Sequence, residues 1–218
     1  MTPNLITLGR IILALAVVFI FNLGFYWRLA AVFLTLLVIY LDSLDGFVAR
    51  KLGQASDFGA LFDITGDRIV EHIYLIFYCA VGLVSFWVPV IIVTRSFLVD
   101  TLRSVAFSRE GKTPFGRKTM MKTPITRFLT ASPFSRTLYT VSKVAAFILL
   151  GLIYALQKGF EEGVQWLTRA EIRDLSVVTQ TLVWIMVVLN LVRGLPVLWD
   201  GRYYLFDKYL PRKLNKEV

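Results

Sequence analysis

Apolar residues run through this chain in blocks of about 20, the length a helix needs to cross a hydrocarbon core about 30 Å thick. The blocks fall near 5–23, 27–49, 60–84, 86–107, 137–157 and 178–200, and they predict six membrane-spanning helices. The joints are short apart from two: about 108–136, basic and carrying Pro114, Pro124 and Pro133, and about 158–177, mixed in charge. No internal repeat is visible, so residues 1–218 are expected to form a single membrane-embedded domain, an all-α bundle of six transmembrane helices. Thr2-Pro3 reads as a helix start, a threonine cap with proline at the first helical position. Arg10 interrupts the first block and no small-residue cleavage site follows, so that block is read as a span rather than a removable signal. Amphipathic pieces around Lys118 to Leu129 suit the membrane interface.

Composition supports this picture: 56% hydrophobic and only 18% charged residues lie outside the range of ordinary soluble domains. A net charge of +9 could suggest a nucleic-acid partner, but the basic residues sort by connection rather than along one soluble face. Arg50 and Lys51, the run from Arg109 to Arg136, and Arg202, Lys208, Arg212, Lys213 and Lys216 fall in alternate connections. The positive-inside rule then makes both termini cytoplasmic in a multi-pass integral membrane protein, of the inner membrane in a bacterium, with the basic side facing anionic lipids and no nucleic acid. Trp27, Trp87, Trp166 and Trp199 lie near span ends and read as interface anchors. Cys79 is the only cysteine, which excludes a disulfide framework and a cysteine metal site within one chain; it reads as a small core residue.

Against this apolar background Asp42, Asp45, Asp63 and Asp67 stand at helix-compatible spacings within one short stretch. An acid at the bilayer centre costs about 2.5–3.5 kcal/mol on insertion scales, so something positive must compensate them. On a helix Asp42, Asp45, Gly46 and Ala49 share one face at i, i+3, i+4, i+7, and Gly59, Asp63 and Asp67 share another at i, i+4, i+8. With a short joint from Lys51 to Asp57 the two faces are expected to meet near the cytoplasmic ends of their spans. Like charges 4 Å apart repel by about 4 kcal/mol at an effective dielectric of 20. All the ligand atoms are hard oxygens and no His or Cys pair accompanies them, which points to Mg²⁺ or Mn²⁺. The small residues leave room for a bulky ligand, and Arg50 could pair with its phosphate.

The run Asp42-x-x-Asp45-Gly46-x-x-Ala49-Arg50, eight residues, Gly59-x-x-x-Asp63-x-x-x-Asp67 resembles the signature of the CDP-alcohol phosphotransferases in every fixed position. The resemblance implies that an acceptor hydroxyl attacks the β-phosphoryl of a CDP-linked lipid, CDP-diacylglycerol, and releases CMP. It implies two divalent ions, with Asp42 bridging both, Asp45 on the first, Asp63 touching both, and Asp67 on the second while also serving as the base. It implies contacts to the CDP-lipid from Asn4, Thr7, Gly46, Ala49, Arg50, Ser56 and Gly59, and a homodimer of six-span subunits among membrane lipids.

Within the family, Pro3-Asn4-Leu5-Ile6-Thr7-x-x-Arg10 and Ile92-Val93-Thr94-Arg95-x-x-Leu98-Val99-x-x-Leu102-Arg103 look like the phosphatidylglycerophosphate synthases, implying glycerol 3-phosphate as acceptor in phospholipid biosynthesis. Arg95 and Arg103, at i, i+8, could clamp its phosphate; the bland reading is snorkelling toward the interface. Two departures leave another acceptor open, such as an inositol phosphate or another alcohol. Ser96 stands where those synthases carry an acid, and Arg136 is the nearest counterpart of a lysine-rich run. His72 and Glu71 are expected to satisfy each other or Arg68 rather than bind metal. A cation transporter using the buried carboxylates is the rival from another class; it would favour repeats and a midplane site, neither of which this chain displays.

Overall fold

The computed structural model describes residues 2–51, 57–111 and 119–204, without the side chains of 2, 3, 42–51, 57, 58, 60 and 61. They form α1 (Thr2–Phe21), α2 (Phe25–Lys51), α3 (Asp57–Ala80), α4 (Trp87–Glu110), α5 (Pro124–Ala131), α6 (Pro133–Glu161) and α7 (Arg169–Gly201), followed by a 3-10 turn, Arg202–Tyr204. The expectation of an all-α chain is met by these residues. Among the described residues, three stretches are long and apolar enough to cross a membrane: Asn4–Phe21, Pro124–Glu161 and Arg169–Tyr204. Helices α3 and α4 carry ionisable side chains within their length, among them Asp63, Asp67, Glu71, Arg95 and Asp100, and do not reach that apolarity.

Helix α1 has two apolar faces. Thr7, Arg10, Ala14, Val17 and Phe21 are buried, while Leu5, Leu8, Ile12, Leu15 and Phe19 are exposed at the same helical spacing. A water-soluble helix shows a polar outer stripe, so an outer stripe of Leu, Ile and Phe fits a lipid surround. Trp27, Trp87, Trp166 and Trp199 are exposed as well.

The chain divides into two compact units, Met1–Val90 with Val141–Met186, and Ile91–Thr140 with Val187–Val218. In the first, α1 packs on α2 and α3. Its centre is aromatic: Phe21 stacks on Phe77 with centroids 5.2 Å apart, and Tyr154 meets both edge-on. Tyr78 donates its hydroxyl to the Phe147 carbonyl at 2.9 Å. Gly151 makes that reach possible, because a Cβ there would stand 3.1 Å from the Tyr78 hydroxyl and 3.0 Å from the Phe21 ring. At one end Glu162 accepts from the Phe25 backbone N–H at 3.1 Å and pairs with buried Arg28 at 2.7 Å. Gly159 leaves space for the Phe25 ring.

In the second unit Val99, Ala106, Met120, Met121 and Val197 form an apolar cluster. The buried Asp200 carboxylate accepts from the Lys122 backbone N–H at 2.9 Å and the Thr126 hydroxyl at 2.7 Å, which ties down the start of α5.

Boundaries depart from the sequence expectations in three places. The third block ends at Ala80 rather than 84, because Gly82 takes a left-handed φ of 77° and Leu83 N–H turns back to the Tyr78 carbonyl. Helix α7 begins nine residues before its apolar block: Thr168 and Glu171 cap each other reciprocally through side chain and backbone. The amphipathic segment resolves into α5 starting at Pro124, where Thr123 and Thr126 form the same kind of box; Lys118 lies outside the described residues.

Candidate active site

Helix α3 carries Gly59, Asp63 and Asp67 one turn apart, as their spacing requires. Helix α1 meets α3 closely at Gly66. A Cβ on Gly66 would collide with the Thr7 Cγ2 methyl and stand 3.3 Å from Arg10 Nη2, so only glycine lets these side chains lie across α3. Arg10 is 2% exposed, and its Nη2 donates to Asp67 Oδ1 at 2.7 Å with Asp63 Oδ1 3.8 Å away. The two acidic side chains are 43% and 38% exposed, so a buried cation meets partly exposed anions. The chain itself thus supplies one positive charge to the two acids of α3.

Thr7 and Arg10, three residues apart, share the buried face of α1; Asn4 is half-buried one turn earlier. The backbone of α2 spans Asp42, Asp45, Gly46, Ala49 and Arg50, but their side chains lie outside the described residues, as does Ser56 altogether. Among the described residues no three or more His, Cys, Asp or Glu side chains converge on one point. Asp63 and Asp67 nevertheless fit a divalent ion: both are half-exposed hard-oxygen donors, and one cationic nitrogen already lies between them. Glu71 accepts from Arg68 at 3.1 Å, matching the reading that Arg68 satisfies it.

The three arginines read as acceptor ligands all belong to the second unit. Arg95 is buried on α4 against α7 at Gly194, where a Cβ would overlap its side chain. Arg103, one face along, pairs with Asp100 at 3.3 Å. Arg136 in the first turn of α6 borders an open cleft of about 460 Å³ with Arg127, Phe128 and Ser132. Nearby on α6 and α7 the Asn190 amide donates to the Tyr139 hydroxyl at 2.9 Å, and the Arg193 guanidinium lies 5.1 Å from the Tyr139 ring centre. Sequence reading missed this polar group. Asn190 and Arg193 sit in a long apolar run, and their polarity was the available signal.

Sequence comparison brings three relatives to bear. A protein of Mycobacterium tuberculosis (strain ATCC 25618 / H37Rv) named probable phosphatidylglycerophosphate synthase is 34% identical over 145 residues, covering 64% of this chain and 65% of the relative. The CDP-diacylglycerol–glycerol-3-phosphate 3-phosphatidyltransferase of Bacillus subtilis (strain 168) is 31% identical over 116 residues, 47% of this chain and 60% of the relative. The CDP-diacylglycerol–inositol 3-phosphatidyltransferase of Schizosaccharomyces pombe is 37% identical over 81 residues, 36% of this chain and 32% of the relative. The chain thus spans less than two thirds of the length of the curated relatives it matches. The family model described as CDP-alcohol phosphatidyltransferase matches residues 1–192, taking in α1 with Arg10, both acidic segments and Arg95, and the chain therefore belongs to that family.

Proposed function

We propose that the chain is a divalent-metal-dependent membrane enzyme that transfers a phosphatidyl group from CDP-diacylglycerol to the hydroxyl of glycerol 3-phosphate, releasing CMP. The observation that carries this reading is the half-exposed pair Asp63 and Asp67, one turn apart on α3 inside the family's matched region. The names of the mycobacterial and Bacillus relatives support the acceptor.

In this reading Asp42, Asp45, Asp63 and Asp67 hold Mg²⁺ or Mn²⁺, two ions in all. A divalent ion at such a site supplies neutralisation of the diphosphate charge and orientation of both oxygens. Asp67 takes the proton of the acceptor hydroxyl as its oxygen bonds to the β-phosphorus; the bond to the CMP oxygen breaks and CMP leaves with that electron pair. Asn4, Thr7, Gly46, Ala49, Arg50, Ser56 and Gly59 contact the CDP-lipid, and Arg95, Arg103 and Arg136 bind the acceptor phosphate. The protein is a homodimer of six-span subunits with both termini and the site on the cytoplasmic side.

The fission yeast relative, named for inositol, favours a second acceptor class with the same chemistry. One experiment separates them. Purified protein with CDP-diacylglycerol and Mg²⁺ is offered glycerol 3-phosphate, inositol and inositol phosphate in turn, and the lipid product is identified by mass. Phosphatidylglycerophosphate with stoichiometric CMP is expected. An inositol lipid instead would move the acceptor, and no CMP from any acceptor would remove the reading.

A further inference from the structure

The Arg10 guanidinium holds the carboxylate oxygens that a divalent ion shared by Asp63 and Asp67 would need. Its Nη2 is 2.7 Å from Asp67 Oδ1 and 3.8 Å from Asp63 Oδ1, and the side chain is buried where α1 crosses α3 at Gly66. Two like charges cannot both sit at contact distance from one carboxylate oxygen without strong repulsion. The asymmetry of exposure matters too. Arg10 is buried, whereas both carboxylate side chains are partly exposed, so an ion from solvent can reach them and compete with the guanidinium for the same oxygens.

We infer that Arg10 is a positioning residue that serves as an internal counter-cation: it holds Asp63 and Asp67 together in the metal-free protein and is displaced from them when a divalent ion binds. The inference rests on the proposed metal-binding role of these two residues. Its physical content is a competition. Without Arg10 the two carboxylates lose one positive charge and repel each other more, so the metal-free protein loses stability, while the same change lets them attract a divalent ion more strongly. A residue with a merely structural role would weaken both properties when removed; a counter-cation moves them in opposite directions.

The test uses the full chain in detergent. Mn²⁺ binding is read from the loss of the free-ion electron paramagnetic resonance signal, and thermal unfolding is followed in chelator and in saturating Mn²⁺. Arg10→Gln is expected to bind Mn²⁺ about tenfold more tightly than wild type, the scale of one charge-assisted hydrogen bond removed from the competition. It should melt at a lower temperature in chelator, with the deficit narrowing in Mn²⁺. Arg10→Lys keeps the charge but replaces the planar fork by a point charge, so a gain of only about threefold is expected. Should Arg10→Gln not fold, Arg10→Lys alone decides. Affinity equal to or weaker than wild type in the variant that folds overturns the inference and leaves the metal reading intact. Wild-type protein that binds no Mn²⁺ at all overturns both.

Discussion

An asparagine in place of Asp67 keeps an oxygen for the Arg10 guanidinium 2.7 Å away, yet it cannot accept a proton from an acceptor hydroxyl. Asp67→Asn is therefore expected to leave CDP-lipid binding largely intact while turnover falls about 10²- to 10⁴-fold, the usual contribution of a positioned base. Equilibrium binding of labelled CDP-diacylglycerol alongside CMP release checks it, and turnover near wild type would remove the assigned role. Arg95 allows a second test that leaves its own charge in place. Gly194→Ala puts a methyl group into the space of the Arg95 side chain, so it should raise the acceptor KM much as Arg95→Ala does, by about tenfold, with kcat little changed. Steady-state kinetics in glycerol 3-phosphate decides; an unchanged KM in both variants counts against a phosphate contact. The acids were legible in the sequence because ionisable residues in apolar runs demand a reason. Arg10 was legible as an interruption of the first block and as the end of the Pro3 to Arg10 motif, but its pairing was not: its partner lies 57 residues away, and nothing local to α1 names it.

At the scale of elements, the helices follow from apolar block length, while their ends depend on chemistry the blocks do not contain. Gly82 stops α3 through its backbone conformation, and the Thr168–Glu171 box starts α7 well before apolarity begins. Packing between elements is less legible still, since Gly151 and Gly159 look like ordinary small residues of a membrane helix until the rings of Phe21, Tyr78 and Phe25 are seen against them. The interaction of Tyr78 with α6 can be measured. Tyr78→Phe removes the hydroxyl that meets the Phe147 carbonyl, and should cost about 0.6–1.5 kcal/mol, the range for one interhelical hydrogen bond. Gly151→Leu places a bulky side chain where three neighbouring atoms already stand 3.0–3.3 Å from a Cβ, and should lower thermal stability by more than Tyr78→Phe. Detergent-solubilised melting curves rank the two. The reverse order would mean that α6 shifts easily around Gly151.

For the whole molecule the open choice is between the six spans proposed from block length and charge and the three stretches whose apolarity alone suffices. The two arrangements differ at named positions. If all six blocks cross from a cytoplasmic N-terminus, Asn22, Ser85 and Glu161 lie outside, while Ser108 lies inside. If only Asn4–Phe21, Pro124–Glu161 and Arg169–Tyr204 cross, Ser108 moves outside and Glu161 inside. All four residues are exposed, so a cysteine at each would be open to reagent. The experiment begins from Cys79→Ser, which removes the chain's only cysteine, and adds one cysteine at a time in intact cells. A membrane-impermeant maleimide is expected to label positions 22, 85 and 161 directly, and position 108 only after permeabilisation. The acids of α3 and the arginines of α4 are then tolerable in spans because charge partners such as Arg10 for Asp67 and Asp100 for Arg103 lower the cost of carrying them. Exchange of the results at 108 and 161 would instead mean that α2 to α4 do not cross.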